Sequence, residues 1–169
     1  PDRLAEKYKA FFDKIIVDAP CSGEGMFKKE PQAALEWSKE HTYSCAERQK
    51  NILRSAFSML KGGGYLVYST CTFAPCENEE VASWVLSEFP DVELVPIFAE
   101  GTEDGRSEWS KNLVDLSGTK RIFPHKSRGE GHFVALFKKN GDEKQEYKKI
   151  YKCDKEQLFR DFEKKYISK

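Results

Sequence analysis

The chain alternates between short apolar runs and amphipathic stretches, and that alternation predicts an order of strands and helices. Ile15, Ile16 and Val17 form a compact apolar run ending in Asp18, which predicts a buried strand over 13–18. Upstream, Leu4, Tyr8, Phe11 and Phe12 recur at near-helical spacing. Residues 22–43 mix Met26, Phe27, Leu35 and Trp37 with charges, which predicts a loop with a short helix after Pro31. Ser44-Cys45-Ala46-Glu47 reads as a capping box, and Ile52, Leu53, Ala56, Phe57 and Leu60 then share one helical face. Lys61 followed by Gly62-Gly63-Gly64 ends that helix, and Tyr65–Thr70 predicts a second strand.

The second strand opens into a loop at Cys71–Cys76. Glu77, Glu79 and Glu80 suit the first turn of the next helix, where carboxylates meet the positive end of the helix dipole. Val81, Trp84, Val85 and Phe89 give that helix its buried face, and Pro90 stops it. Val92–Val95 predicts another short strand, 99–120 a long surface loop, and His132–Phe137 a strand that returns to the sheet. The fold class is therefore α/β, with a mostly parallel sheet and flanking helices. Composition shifts after Asn140. Residues 1–140 read as one domain and 141–169 as a linker plus the first helix of an extension. Asp154 with Gln157 makes a cap there, and Leu158, Phe159, Phe162 and Tyr166 form a helical stripe.

Charge narrows the function classes. The 169 residues carry 28 basic and 28 acidic side chains, so a purely electrostatic nucleic-acid binder is excluded. No window approaches about 18 consecutive apolar residues, the length of a membrane helix. Five cysteines, an odd number, favour reduced thiols and a cytoplasmic protein. The chain opens at Pro1, and the expectation is a piece of something longer.

Two strand ends carry the chemistry. Asp18-Ala19-Pro20-Cys21-Ser22-Gly23-Glu24-Gly25 follows the first strand, and Ser69-Thr70-Cys71-Thr72 ends the second. Neighbouring parallel strand ends face one crevice, so Cys21 and Cys71 can meet over one substrate. Such a pair suits a disulfide switch, or covalent catalysis on a pyrimidine. In the second case a thiolate adds at C6 of cytosine and makes C5 nucleophilic, and the other thiol assists release. A nearby carboxylate such as Asp18 could hold the base. No metal site is expected, since no CxxC pair is present and His125 and His132 are remote. Cys45 and Cys153 lie on helical stretches and read as small hydrophobes, and Cys76 lies at a helix start.

The paired motifs resemble the Nop/Sun family of RNA (cytosine-5) methyltransferases over about residues 12–138. Arg121-Ile122-Phe123-Pro124-His125 with Gly129-Glu130-Gly131-His132-Phe133 is similar to its RsmF-type bacterial branch, which acts on small-subunit ribosomal RNA. The resemblance implies a Rossmann-like class I methyltransferase fold, here partial, and S-adenosylmethionine as cofactor. It implies that Cys71 is the nucleophile and Cys21 promotes product release. It places Asp18 at the cofactor and target-base site and has Pro20 shape the base pocket. The tail after residue 140 resembles the start of an RNA-binding extension.

One departure bears on activity. The family holds its cofactor mainly by a Gly-rich loop and acidic strand ends that this chain does not supply. The expectation is that the polypeptide alone binds the cofactor weakly or not at all and does not turn over. Amino-group methyltransferases place an Asn/Asp-Pro-Pro-aromatic motif at this strand end; Asp18-Ala19-Pro20-Cys21 departs from it. A non-enzymatic alternative remains, an RNA-binding or redox-responsive module with a methyltransferase-like fold. Arg121, His125, Lys126 and Arg128 form a local basic cluster for RNA phosphates, with Lys28 and Lys29 as further candidates.

Overall fold

The computed structural model describes residues 1–112, 114–145 and 156–167. Six strands form one sheet: β1 (Phe12–Asp18), β2 (Leu60–Thr70), β3 (Val92–Val95), β4 (Glu103–Asp104), β5 (Lys120–Ile122) and β6 (His132–Lys139). The helices are α1 (Asp2–Lys7), α2 (Pro31–Glu36), α3 (Lys39–Met59), α4 (Glu79–Glu88) and α5 (Glu156–Phe162). α5 continues into a π-helical turn, with Leu158, Phe159 and Phe162 exposed on it. The expected cap at Asp154 and the cysteine at 153 lie outside the described residues.

The sheet runs β1-β2-β6-β5-β4, and β3 also pairs with β6. Among the described residues, only β1 and β2 pair in parallel; every other pairing is antiparallel. The expectation of a mostly parallel sheet therefore holds for strand direction and not for pairing. β1, β2 and β3 share one direction, and β6 enters reversed between β2 and β3. β6 follows its antiparallel neighbour β5 directly in the chain, and no periodicity in the sequence records that reversal.

α3 starts earlier than expected. Ser38, in extended backbone, caps it by accepting the His41 amide at 3.0 Å, so Ser44 sits inside the helix. The buried stripe begins at Thr42 and runs through Cys45, Ala46, Gln49 and Leu53 to Phe57. The Gly62–Gly64 run does not end the helix. It lies within β2, where Phe12 pairs with Leu60 but Lys14 pairs with Tyr65, so the glycines absorb a bulge. Gly64 must be small, because a Cβ there would sit 2.9 Å from the Asp13 carbonyl oxygen.

α3 and α4 cover one face of the sheet. Leu53, Phe57, Leu66, Val81, Val85 and Phe137 are fully enclosed in the core between them. Burying one such side chain contributes about 1.5–3 kcal/mol. The opposite face is open among the described residues. Ile16 is 76% exposed there, and Lys14, Tyr65, Val67 and Leu136 line an apolar hollow of about 410 Å³ with it. β1 is thus buried on one face only, because among the described residues no helix covers the other face of the sheet.

The stretch 99–120 is more than a surface loop. It contains β4 and a 3-10 turn at Ser107–Trp109, and it drives Leu116 and Thr119 into the interior.

Candidate active site

Cys21 lies three residues beyond the end of β1, and Cys71 directly follows the end of β2. Asp18 pairs with Ser69 in the β1–β2 register, and the Ala19 amide donates to the Ser69 carbonyl at 2.9 Å. The parallel pairing therefore delivers the two loops to the same edge. The Cys21 and Cys71 Sγ atoms are 3.2 Å apart. The Cys71 amide also donates to Cys21 Sγ at 3.3 Å.

The two thiols are electrostatically unequal. The hydrogen bond from Cys21 holds Cys71 below its ordinary value, at about 7, against burial and the nearby Asp18 charge. Cys21 moves strongly the other way, because its proton bridges to Cys71 and because the site is partly dry. When the pair ionises, the charge therefore falls on Cys71 and Cys21 keeps its proton.

Both thiols line a cavity of about 240 Å³. Gly23, Met26, Glu30, Ala33, Glu36 and His41 also line it, so α2 and the start of α3 form one wall. Asp18 and Pro20 open instead onto a cleft of about 650 Å³ with Arg48, Asn51 and Ile52. Ser69 donates to Asp18 Oδ1 at 3.1 Å, which leaves the rest of the exposed carboxylate to accept from a ligand. All four predicted residues thus border the same strand-end edge, the cysteines on one side of Pro20 and Asp18 on the other. Cys45 is buried on α3, 3.5 Å from His41 Nε2, and Cys76 lies 3.3 Å from the Thr42 hydroxyl.

Gly23 and Gly25 shape the loop that carries Cys21. Gly23 adopts φ 74, left-handed backbone that suits glycine. The Gly25 amide donates to the Cys71 carbonyl at 2.8 Å, and a Cβ at Gly25 would lie 2.5 Å from Gly131 O. Glu24 accepts from the Phe73 amide at 2.8 Å, so the loop after β1 is laced to the loop after β2.

Glu79 and Glu80 lie in the first turn of α4 as expected, with Glu77 just before it, but the run also has buried partners. Glu77, Asn78 and Glu79 are each 0% exposed. Glu77 accepts from the Ser22 amide and hydroxyl and from Gln49 Nε2, and burial pushes its carboxyl up against those donors. Glu79 forms a two-pronged ion pair with Arg121. Arg121 is therefore removed from the predicted basic cluster. It is 1% exposed, donates to the Phe73 carbonyl at 3.2 Å and stacks on Trp109 at 4.7 Å. His125, Lys126 and Arg128 stay exposed, but Lys126 pairs with Glu103 and Lys29 with Glu130. The sequence reading gave Glu77, Asn78, Gln49 and Ser22 no site role, because each is a polar residue whose burial comes from tertiary packing that no local pattern marks.

Fold and site together define an α/β protein of Rossmann type with paired thiols at adjacent strand ends. The family model for the 16S rRNA methyltransferase RsmB/F family matches residues 2–138, and the chain belongs to that family. The ribosomal RNA small subunit methyltransferase F of Pectobacterium atrosepticum is 40% identical over 135 residues, covering 78% of this chain and 26% of that protein. The chain thus spans about a quarter of the length of the curated relatives it matches. Among solved structures, a methyltransferase homolog protein from Pyrococcus horikoshii aligns with a TM-score of 0.68 at 33% identity. That alignment covers 81% of this chain and 42% of the other. NSun6 from Pyrococcus horikoshii, solved with SFG, aligns with a TM-score of 0.67 at 28% identity, covering 84% of this chain and 34% of that one.

Proposed function

We propose that the protein containing this chain methylates C5 of cytosine in small-subunit ribosomal RNA through a covalent adduct on Cys71. The 3.2 Å approach of Cys21 to Cys71 carries the reading, because it supplies both an attacking thiolate and a group to help it leave. Kinship with small-subunit rRNA methyltransferases supports the substrate class. In this reading the reaction is cytoplasmic, which kinship with bacterial small-subunit rRNA methyltransferases supports. The segment after residue 140 is the start of an RNA-binding extension in this reading.

S-adenosylmethionine, when bound, supplies an electrophilic methyl group. Asp18 fits it or the base beside it: an exposed carboxylate on the wall of a 650 Å³ cleft can accept from hydroxyl or amine donors. The SFG-bound neighbour supports a cofactor of this type. The cleft is open on the free edge of β1, so this polypeptide alone holds such a ligand weakly.

Cys71 attacks as a thiolate, already formed near neutral pH. Its addition at C6 of the base makes C5 nucleophilic. Once a base has taken the C5 proton, Cys71 leaves. The Cys21 S–H then stabilises the departing thiolate, as it does in the free protein. Pro20 turns the chain between Asp18 and Cys21 and so separates the wall of the cleft from the thiols.

Trapping tests the proposal. In the full-length protein, RNA containing 5-fluorocytidine forms an adduct that Cys71→Ala abolishes. Cys21→Ala instead accumulates adduct on ordinary RNA. An adduct that survives Cys71→Ala overturns the assignment, and a full-length protein that forms none leaves the redox-responsive reading of the same thiol pair.

A further inference from the structure

Cys21 and Cys71 are each bracketed by one member of a buried pair of neighbours. On the first loop, Glu77 accepts from the Ser22 amide at 3.0 Å and from the Ser22 hydroxyl. Gln49 Nε2 donates to Glu77 at 2.9 Å and to the Pro20 carbonyl at 3.0 Å. Both residues flanking Cys21 are therefore tied to the Glu77 carboxylate. On the second loop, Asn78 Nδ2 donates to the Thr72 carbonyl at 2.9 Å, and Asn78 Oδ1 accepts from the Thr70 hydroxyl at 2.6 Å. Both residues flanking Cys71 are tied to the Asn78 amide.

The two brackets are locked together. Glu77 and Asn78 are consecutive, and the Ser22 and Thr72 hydroxyls lie 2.9 Å apart between the loops. Tyr68, fully buried, sets its hydroxyl 2.9 Å from Gln49 Oε1 and 2.6 Å from the Glu77 carbonyl oxygen. A buried carboxylate is costly unless its oxygens are satisfied, so this network tolerates one geometry.

We propose that Glu77 and Asn78 are positioning residues that set the Cys21–Cys71 approach, Glu77 through Ser22 and Gln49 and Asn78 through Thr70 and Thr72. The proposal rests on the two-thiol reading of the site. Neither residue lines the thiol cavity; each acts through the loop it holds.

Geometry and charge predict opposite outcomes for one substitution. Glu77 is an anion near Cys71, and its charge alone opposes the thiolate. If charge were its role, Glu77→Gln would lower the pH midpoint of Cys71 reactivity. If it holds Cys21 in place, Glu77→Gln loosens the donor, and the midpoint rises from about 7 toward the ordinary cysteine value of 9.0.

The test is the pH profile of iodoacetamide alkylation at Cys71 in this chain, read by peptide mass mapping. Glu77→Gln and the uncharged Asn78→Ala are both expected to raise the midpoint by about one unit, roughly a fivefold slower reaction at neutral pH. Val92→Ala, a core truncation on β3 outside the network, lowers thermal stability but leaves the midpoint in place. Ser22→Ala removes only the hydroxyl link and gives a smaller rise, which keeps the test open if Glu77→Gln does not fold. A midpoint that falls, or one that stays put while the melting temperature drops, overturns the proposal. The readout is thiol chemistry, not methyl transfer. A shifted midpoint with a failed fluorocytidine trap keeps the positioning role and removes the methylation reading; the reverse removes the positioning role alone.

Discussion

Cys21 and Cys71 lie 50 residues apart in the chain, yet their sulfur atoms stand 3.2 Å apart. The parallel β1–β2 register brings them together, and the hydrogen bond between them splits their acidities in opposite directions. One thiol is thereby ready to attack and the other stays protonated.

That split has a signature in pH. A thiol reacts as its thiolate, so Cys71 alkylation is expected to be slow below about pH 7 and to level off above it. Cys21 is raised, so it stays largely unmodified across the same range. Timed iodoacetamide labelling from pH 5 to 9, with mass mapping, checks both. Labelling of Cys21 ahead of Cys71 would contradict the assignment. In Cys21→Ala the donor is gone, and the Cys71 midpoint moves up.

Two glycines of the same loop separate backbone conformation from close packing. Gly23→Ala places a Cβ in open space and costs about 1–2 kcal/mol of left-handed strain. Gly25→Ala meets backbone at Gly131 O and, at 2.9 Å, at Cys71 O, so the two loops must part. Overpacking of this kind costs about 1–3 kcal/mol and also pulls Cys71 from Cys21. Denaturant unfolding measures the first effect for both variants. The Cys71 labelling midpoint is expected to move only for Gly25→Ala, and equal shifts in both would refute the close-packing account.

The Arg121–Glu79 pair supports the Cys71 loop from behind. Arg121→Met leaves Glu79 charged and enclosed, and losing one partner of a buried pair costs about 3–5 kcal/mol. Replacing both, as Arg121→Met with Glu79→Leu, is expected to recover much of that loss. Urea denaturation of the single and double variants decides the point. A double variant at the sum of the two singles would show that the residues act independently.

Much of this was legible in the sequence. The apolar run at Ile15–Val17, the amphipathic stripe of α3 and the Cys21 and Cys71 motifs fix what each segment becomes, because periodicity and turn chemistry act over a few neighbours. Tertiary structure decided what those segments do to one another. Glu77 and Arg121 carry charge, and charge by itself predicts solvent; only the packing of α4 under two strand-end loops turned them into enclosed ties. Ile16 is as apolar as Ile15, yet it is exposed, because it points to the face of the sheet that no described helix covers. The sequence by itself determined that two cysteines stand at two strand ends. That they meet, and that one yields its charge to the other, follows from strand register and from a network of hydrogen bonds between residues up to 55 positions apart.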